Sequence, residues 1–144
     1  MKANETFAIH QMALRRLASI LYYNGIKTLK FMPPWNSPYD LLVNGKVRCE
    51  LKVSEAKVLQ KHHVMPFWQV NLARHGKISH NKIDIYAICC LTNRPDKKLG
   101  SAIWLMIPAS EIGPVKSFRL SIRSMAKNWG KWISNFEYFD RGSL

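Results

Sequence analysis

The chain has few cysteines, few acidic residues and no long apolar run, and each shortage excludes a class of protein. Its 144 residues include three cysteines, two of them adjacent, which fit neither a disulfide framework nor a zinc site of paired cysteines. We expect buried, reduced thiols in a cytoplasmic protein. No stretch approaches the ~18 apolar residues of a membrane span. The first residues also lack the apolar core of a signal peptide, so neither feature is expected.

Acidic residues are scarce relative to basic ones. The chain has 22 Lys and Arg against nine Asp and Glu, which gives a formal net charge of +13 at pH 7. Such an excess attracts polyanions, and the release of counterions strengthens their binding. A membrane surface is a competing partner, but the basic residues are not gathered on one amphipathic helix. The charge therefore favours a nucleic acid as the partner, with a protein that merely is basic as the alternative.

The length fits one domain, residues 1–144, and the hydropathy pattern predicts an α/β fold. Apolar residues recur at helical spacing over residues 4–24, and Gly25 follows as a stop signal. Strands are predicted at residues 27–31, 39–43, 47–53, 67–72, 83–91, 102–107 and 118–122. Residues 54–60 are predicted as a short helix or loop, 108–113 as one helical turn, and 123–136 as a terminal helix. This order predicts a mixed sheet that begins after the first helix.

A β-hairpin is predicted around the Asn-Gly sequence at positions 44 and 45, between two runs that alternate in polarity. A two-residue turn would set apolar side chains opposite charged ones along the whole hairpin. A turn one residue longer pairs Val43 with Val47 and gathers the apolar side chains on one face. The pairing of Leu41 with Cys49 follows. Because a slip of one residue turns every side chain to the other face, burial selects the longer turn.

This register has a chemical consequence for the charged face of the hairpin. It brings Asp40 opposite Glu50, at the ~4.5–5.5 Å Cβ separation of directly opposed residues, with Lys52 on the same face. Two adjacent carboxylates repel each other unless a divalent cation lies between them, and magnesium prefers such oxygen ligands. The acids would hold the metal, and the lysine would orient water or offset charge developing on a phosphate. The alternative is an amphipathic surface hairpin with a cross-strand salt bridge.

The same residues resemble the signature of the PD-(D/E)XK nuclease superfamily. Pro38-Tyr39-Asp40 is followed, after nine residues, by Glu50-Leu51-Lys52. The order of the flanking segments, over residues 5–112, resembles that of archaeal Holliday-junction resolvases and small intron-encoded homing endonucleases. The resemblance implies a restriction-endonuclease-like α/β fold with an αβββαβ core, in which helices flank a mixed central sheet. It also implies Mg²⁺-dependent hydrolysis of DNA phosphodiester bonds, with Mn²⁺ as a substitute.

The resemblance assigns roles to individual residues. Asp40 and Glu50 match the metal-binding acids, and Lys52 matches the catalytic lysine. The carbonyl of Leu51 is a further metal ligand in this scheme.

Two more residues have candidate roles with open alternatives. Glu5 resembles the acid that many members carry on the first helix, and an exposed acid favourable to the helix dipole is the alternative. Gln69 lies where some relatives place a polar catalytic residue, and a plain exposed strand glutamine is the alternative. Asp84, at a strand start, is expected to be a cap or edge residue rather than a ligand.

Basic residues in and around predicted loops are candidates for contacts with DNA phosphates. They are Lys57, Lys61, Arg74, His75, Lys77 and Lys82. A solvated basic loop is the alternative for each. A homodimer is expected, since cutting both strands of a duplex usually takes two sites. The substrate stays open between a four-way junction, a specific duplex site and damaged DNA, and the alternative function is a non-catalytic nucleic-acid-binding protein.

Overall fold

A computed structural model of the chain describes residues 3–33, 37–57, 66–73, 80–92 and 99–136. Its helices are α1 (Ala3–Tyr23), α2 (Ala109–Ile112) and α3 (Ile122–Asn128), with 3₁₀ turns at His80–Lys82 and Gly130–Trp132. Its strands are β1 (Leu29–Phe31), β2 (Leu41–Val43), β3 (Val47–Lys57), β4 (Phe67–Asn71), β5 (Ile85–Leu91), β6 (Ala102–Pro108) and β7 (Ser117–Ser121). No helix in these ranges is both long enough and apolar enough to cross a membrane.

The strands form one seven-stranded mixed sheet in which β3 has the most neighbours. The order is β1-β2-β3-β4-β7, and β5 pairs with both β3 and β6. The pairing of β3 with β5 is parallel, and the other pairings are antiparallel. The predicted α/β fold with a mixed sheet and flanking helices is confirmed. The αβββαβ pattern differs at one point, because the described part of the β3–β5 connection contains β4 and a 3₁₀ turn rather than a crossover helix.

Two apolar clusters lie on opposite faces of the sheet. Cys49 and Leu51 of β3 pack in the cluster under α1, together with the helix residues Ile9, Ala13 and Leu17. On the other face, side chains of β5 join residues of β4, β7, α3 and the C-terminal 3₁₀ turn in a second cluster. Because successive side chains of a strand point to opposite faces, β5 is covered from both sides, whereas the described part of the second cluster contains no side chain of β3. The strands that carry the candidate residues are thus fixed by burial.

The three cysteines are free and buried, as predicted. Burial raises the pKa of Cys89 to about 12, so this thiol stays protonated at neutral pH. Burial also raises the pKa values of Cys49 and Cys90 far above the ordinary thiol range. These thiols pack as small apolar side chains and supply no reactive group.

Two predicted boundaries are wrong. The strand β3 continues to Lys57, where a short helix or loop was predicted, because Ala56 and Lys57 pair with Trp68 and Phe67 of β4. The terminal helix ends at Asn128 rather than continuing to position 136. Trp129 leaves the helical conformation with φ −122° and ψ 8°, and the buried Trp132 follows in the 3₁₀ turn. Tertiary pairing and packing override the local pattern in both cases.

The β2–β3 hairpin has the predicted register. Val43 pairs with Val47, and Leu41 pairs with Cys49. The turn has three residues, and the amide of Lys46 donates to the carbonyl of Val43 at 3.1 Å. Asn44 and Gly45 adopt left-handed conformations, with φ of 53° and 73°. The Asn-Gly sequence supplies the residues that tolerate this conformation best, and it thereby sets the register.

Replacement of Gly45 tests the turn. Gly45→Ala is expected to destabilise the protein by about 1–2 kcal/mol, since a Cβ is strained in the left-handed region. A Cβ at Gly45 meets no atom within 4 Å, so the cost is conformational alone. The matched control is Gly130→Ala, whose Cβ lies 3.9 Å from the Met125 carbonyl oxygen in ordinary contact. Urea unfolding followed by circular dichroism measures both. Equal effects of the two substitutions would contradict the turn conformation.

Candidate active site beside strand β3

The candidate residues lie where β3 has a strand on one edge only. Its register pairs with β2 end at Cys49, and those with β4 begin at Ala56. Between these limits β5 alone pairs with β3 among the described strands. Glu50 and Lys52 lie in this stretch, and Asp40 directly precedes β2. The candidate residues therefore lie along an edge of β3 that no other described strand pairs with.

Asp40 is held against this edge by its side chain and its backbone. Its carboxylate Oδ2 accepts a hydrogen bond from the amide of Leu51 at 2.7 Å. Its own amide donates to the Cys49 carbonyl at 2.9 Å. The side chain is buried, and the residue is 7% exposed. The β2–β3 ladder stops at Leu41, so Asp40 does not pair with Glu50 in it. The Asp40 carboxylate instead binds the amide of Leu51, the residue that follows Glu50.

Glu50 and Lys52 form a buried ion pair. Glu50 is 1% exposed, and its Oε1 lies 3.4 Å from the ammonium Nζ of Lys52. In the β3–β5 register Glu50 lies beside Tyr86. Burial, with the charge of Glu50, raises the pKa of Tyr86 well above its ordinary value, so the phenol remains neutral. The predicted placement of Glu50 and Lys52 on one face is confirmed by their contact.

The helix α1 supplies an imidazole that the sequence prediction did not include. The Nε2 atom of His10 lies 3.2 Å from the Leu51 carbonyl oxygen and 3.5 Å from Asp40 Oδ2. The helical spacing in the sequence indicates that His10 faces the sheet. His10 precedes Leu14 by four positions and Leu17 by seven, and both leucines are buried. A polar residue in that apolar stripe faces the sheet.

Glu5 was the residue of α1 predicted to reach the site. Its backbone lies in the first turn of the helix, and its side chain is outside the described structure. It precedes His10 by five positions, which corresponds to about 7.5 Å along the axis and about 140° around it. The described contact of α1 with Asp40 is made by His10, and the role of Glu5 stays a prediction.

Gln69 lies on β4 and makes other contacts. Its Oε1 accepts a hydrogen bond from Arg119 Nε at 3.1 Å, and its backbone oxygen accepts one from Ser54 Oγ at 2.8 Å. The neighbouring residues Trp68 and Val70 are buried, so Gln69 points to the outer face of the strand. These contacts match the plain strand glutamine, and a catalytic role for Gln69 stays a prediction.

Asp84 is engaged by Arg48 through both carboxylate oxygens. Oδ1 lies 3.0 Å from Arg48 Nη2, and Oδ2 accepts from Arg48 Nε at 3.1 Å and from its backbone amide at 2.8 Å. Burial acts to raise the pKa of Asp84, but the hydrogen bonds and charge of Arg48 outweigh it and lower the pKa. Asp84 thus ties the start of β5 to β3, in keeping with the predicted edge role.

The predicted DNA contacts lie mostly beyond the described part of the chain. Lys82 is exposed at the end of the first 3₁₀ turn. Lys57 ends β3, and its side chain is not described. The remaining candidates, Lys61, Arg74, His75 and Lys77, fall outside the described residues.

The donor atoms beside β3 fit a magnesium-type cation. They are two buried carboxylates, those of Asp40 and Glu50, and the carbonyl oxygen of Leu51. The described ranges contain no group of three or more His, Cys, Asp or Glu side chains arranged to hold a metal. These ranges therefore show no site of the zinc type, in which several side chains surround the metal. Mg²⁺ does not require such a site, since proteins commonly bind it through one or two carboxylates, water and substrate phosphate.

Comparison with known proteins connects this fold to a nuclease structure. Neither a protein-family model nor a curated protein sequence matches the chain. Among solved structures, the bacterial homing endonuclease I-Ssp6803I is similar, with a TM-score of 0.55 and 13% sequence identity. The likeness covers 91% of this chain and 86% of that one. At this identity it shows a shared fold, which extends over nearly the whole of both chains.

The ion pair of Asp84 predicts a pH-dependent stability. A carboxylate with a lowered pKa stabilises the folded state above the unfolded-state pKa of about 3.9, and this contribution is lost as the pH falls through the lower folded-state pKa. Asp84→Asn is expected to lose about 1 kcal/mol at pH 7, a value discounted for solvent screening. The discount is needed because the Arg48 side chain is 36% exposed. The difference from the parent should shrink below about pH 4.

Urea unfolding at a series of pH values measures this difference. The control is Glu111→Gln, which changes an exposed acid on α2 and should leave the profile close to that of the parent. A difference between Asp84→Asn and the parent that is constant down to acidic pH would contradict the proposed linkage.

Proposed function

We propose that this chain is a metal-dependent endonuclease that hydrolyses DNA phosphodiester bonds, with an active site of the PD-(D/E)XK type. The observation that carries the proposal is the Asp40 carboxylate bonded to the Leu51 amide, next to the buried Glu50–Lys52 ion pair. The fold it shares with a homing endonuclease supports the proposal. So does the net charge of +13, which favours a polyanionic substrate.

The proposed cofactor is Mg²⁺, with Mn²⁺ as a substitute. Asp40, Glu50 and the carbonyl of Leu51 would hold it. When bound, such a cation supplies Lewis-acid polarisation of a phosphate oxygen and activation of water. The burial of both acids supports a cation at this place, because buried carboxylates are costly unless positive charge compensates them. Lys52 brings a positive charge to Glu50.

The chain's own residues have separate tasks in this proposal. The Leu51 amide fixes the orientation of Asp40, which spares the site reorganisation during the reaction. Glu50 fixes the ammonium of Lys52, whose remaining N–H bonds would donate to an attacking water or to a phosphate oxygen. The Lys52 side chain is 16% exposed, so these hydrogen bonds would act with little competition from solvent.

The proposed substrate is DNA, either a four-way junction or a specific duplex site. Basic residues that include the exposed Lys82 would contact its phosphates. We further propose a homodimer, because one site of this kind cuts one strand and two sites related by symmetry cut both.

Removal of the lysine is the direct test of catalysis. Lys52→Ala is expected to lower the cleavage rate by about 100-fold or more, the usual loss when a group that stabilises transition-state charge is removed. The assay uses supercoiled plasmid and a synthetic four-way junction with Mg²⁺, Mn²⁺ or chelator. The control is Lys46→Ala, an exposed lysine in the turn of the same hairpin, which should cleave like the parent.

The two substrates and the chelator separate the outcomes. Faster cutting of the junction indicates a resolvase, and cutting of the plasmid at defined sites indicates a sequence-reading enzyme. Cleavage that is equal in chelator and magnesium contradicts metal dependence. DNA binding by the parent without cleavage under any condition contradicts the proposal and favours a non-catalytic binding protein. Preference for RNA in a direct competition would reassign the substrate.

Metal binding without DNA gives a second, independent test. Mg²⁺ at 100 times its dissociation constant should stabilise the parent by about 2.7 kcal/mol, which corresponds to roughly 5–10 °C in Tm. Asp40→Asn should lose most of this shift because it lacks a proposed ligand. The control is Asp84→Asn, an acid engaged by Arg48, which should keep the shift. Equal shifts in both variants would argue against a site at Asp40.

A further inference from the structure

The imidazole of His10 touches two of the atoms proposed to bind the metal. Its Nε2 lies 3.2 Å from the Leu51 carbonyl oxygen and 3.5 Å from Asp40 Oδ2. The residue is held there by α1, whose buried stripe includes Leu14 and Leu17 on the same side. Its side chain is 25% exposed, which leaves it in contact with both the site and solvent.

We propose that His10 is a nitrogen ligand of this metal site and that it shifts the site's preference from Mg²⁺ towards Mn²⁺. The inference rests on the proposed function, because it concerns the metal that Asp40 and Leu51 would bind there. It concerns a residue that the sequence motif does not include.

The spacing of the donor atoms supports coordination. In an octahedral site with bonds of about 2.1 Å, neighbouring ligand atoms lie about 3 Å apart. The separations from His10 Nε2 to the other two atoms are 3.2 and 3.5 Å. A cation would need shifts of a few tenths of an ångström to bring both pairs to that distance. These three donor atoms come from two side chains and one backbone carbonyl. They are therefore compatible with the finding that the described ranges contain no metal-binding group of three side chains.

The chemistry of the donor indicates which metals it favours. Neutral imidazole has a nitrogen lone pair, available at Nε2 when the proton is on Nδ1. Transition metals accept such a ligand readily, whereas Mg²⁺ binds oxygen almost exclusively. A site with carboxylate, carbonyl and imidazole donors therefore gains affinity for Mn²⁺ from the imidazole and little for Mg²⁺.

The structural alternative is a hydrogen bond from the His10 Nε2–H to the Leu51 carbonyl, with no role in metal binding. In that case the imidazole occupies an oxygen that the metal also requires, and its removal would leave the affinity unchanged or raise it for both metals. Removal of His10 should thus weaken Mn²⁺ binding if the imidazole is a ligand, and should leave it unchanged or tighten it if the imidazole only donates a hydrogen bond.

The experiment is calorimetric titration of Mn²⁺ and of Mg²⁺ into the DNA-free full chain. His10→Ala is expected to weaken Mn²⁺ binding by about tenfold or more, and Mg²⁺ binding much less. His10→Gln, which keeps an N–H donor for the Leu51 carbonyl, should behave like His10→Ala. The control is Ser19→Ala, an exposed position on the same helix, which should bind both metals like the parent.

Pulsed electron paramagnetic resonance of bound Mn²⁺ gives the second readout. The parent should show modulation from a directly bound ¹⁴N nucleus, and His10→Ala should not. Absence of this signal in the parent, an equal loss for both metals, or tighter Mn²⁺ binding in His10→Ala overturns the inference and leaves the proposed function intact. A parent that binds neither metal overturns the inference and the proposed metal site together.

Discussion

The parallel pairing of β3 with β5 is the constraint on which the rest of the structure depends. It runs from Cys49 beside Ile85 to Glu55 beside Leu91, and apolar side chains of both strands pack in the cluster under α1. Parallel strands cannot be joined by a tight turn, so the chain between them must leave the sheet and return. The described part of this connection includes β4, which pairs with the far end of β3. On the other edge, no described strand pairs with β3 between its partners β2 and β4, and the candidate residues lie along that stretch.

Burial of charge is the second constraint, and it explains why this edge is chemically distinct. Asp40, Glu50 and Ser54 are the polar or charged residues that are buried among the described ones, and all three lie on or beside β3. A buried carboxylate without compensation destabilises a fold by several kcal/mol or more. In this chain the compensation comes from the Leu51 amide at Asp40 and from the ammonium of Lys52 at Glu50. In proteins, buried charges of this kind are paired with other charges or coordinate metal ions.

The sequence was sufficient to predict the hairpin, because a period of two and one buried face leave a single register. Glu50 and Lys52 follow from that register, since they share a face two positions apart. The end of β3 was not predictable locally, because Ala56 and Lys57 become strand through pairing with residues of β4. The contacts of His10 depend on how α1 packs against the sheet. Its spacing from Leu14 and Leu17 predicts which way it faces, but the identity of its partners is set by tertiary structure.

Neutral imidazole at the position of His10 adds no negative charge to the proposed site, whereas an acid at that position would add one. The ionised side chains of Asp40, Glu50 and Lys52 together carry one net negative charge, and neutral His10 adds none. A divalent cation brings this group to one net positive charge, which matches the single negative charge of a phosphodiester. A glutamate at the same place would leave the group neutral with one cation, and a second cation would then be needed to attract the phosphate. If the proposed metal site is present, a neutral imidazole at this contact therefore favours one cation over two.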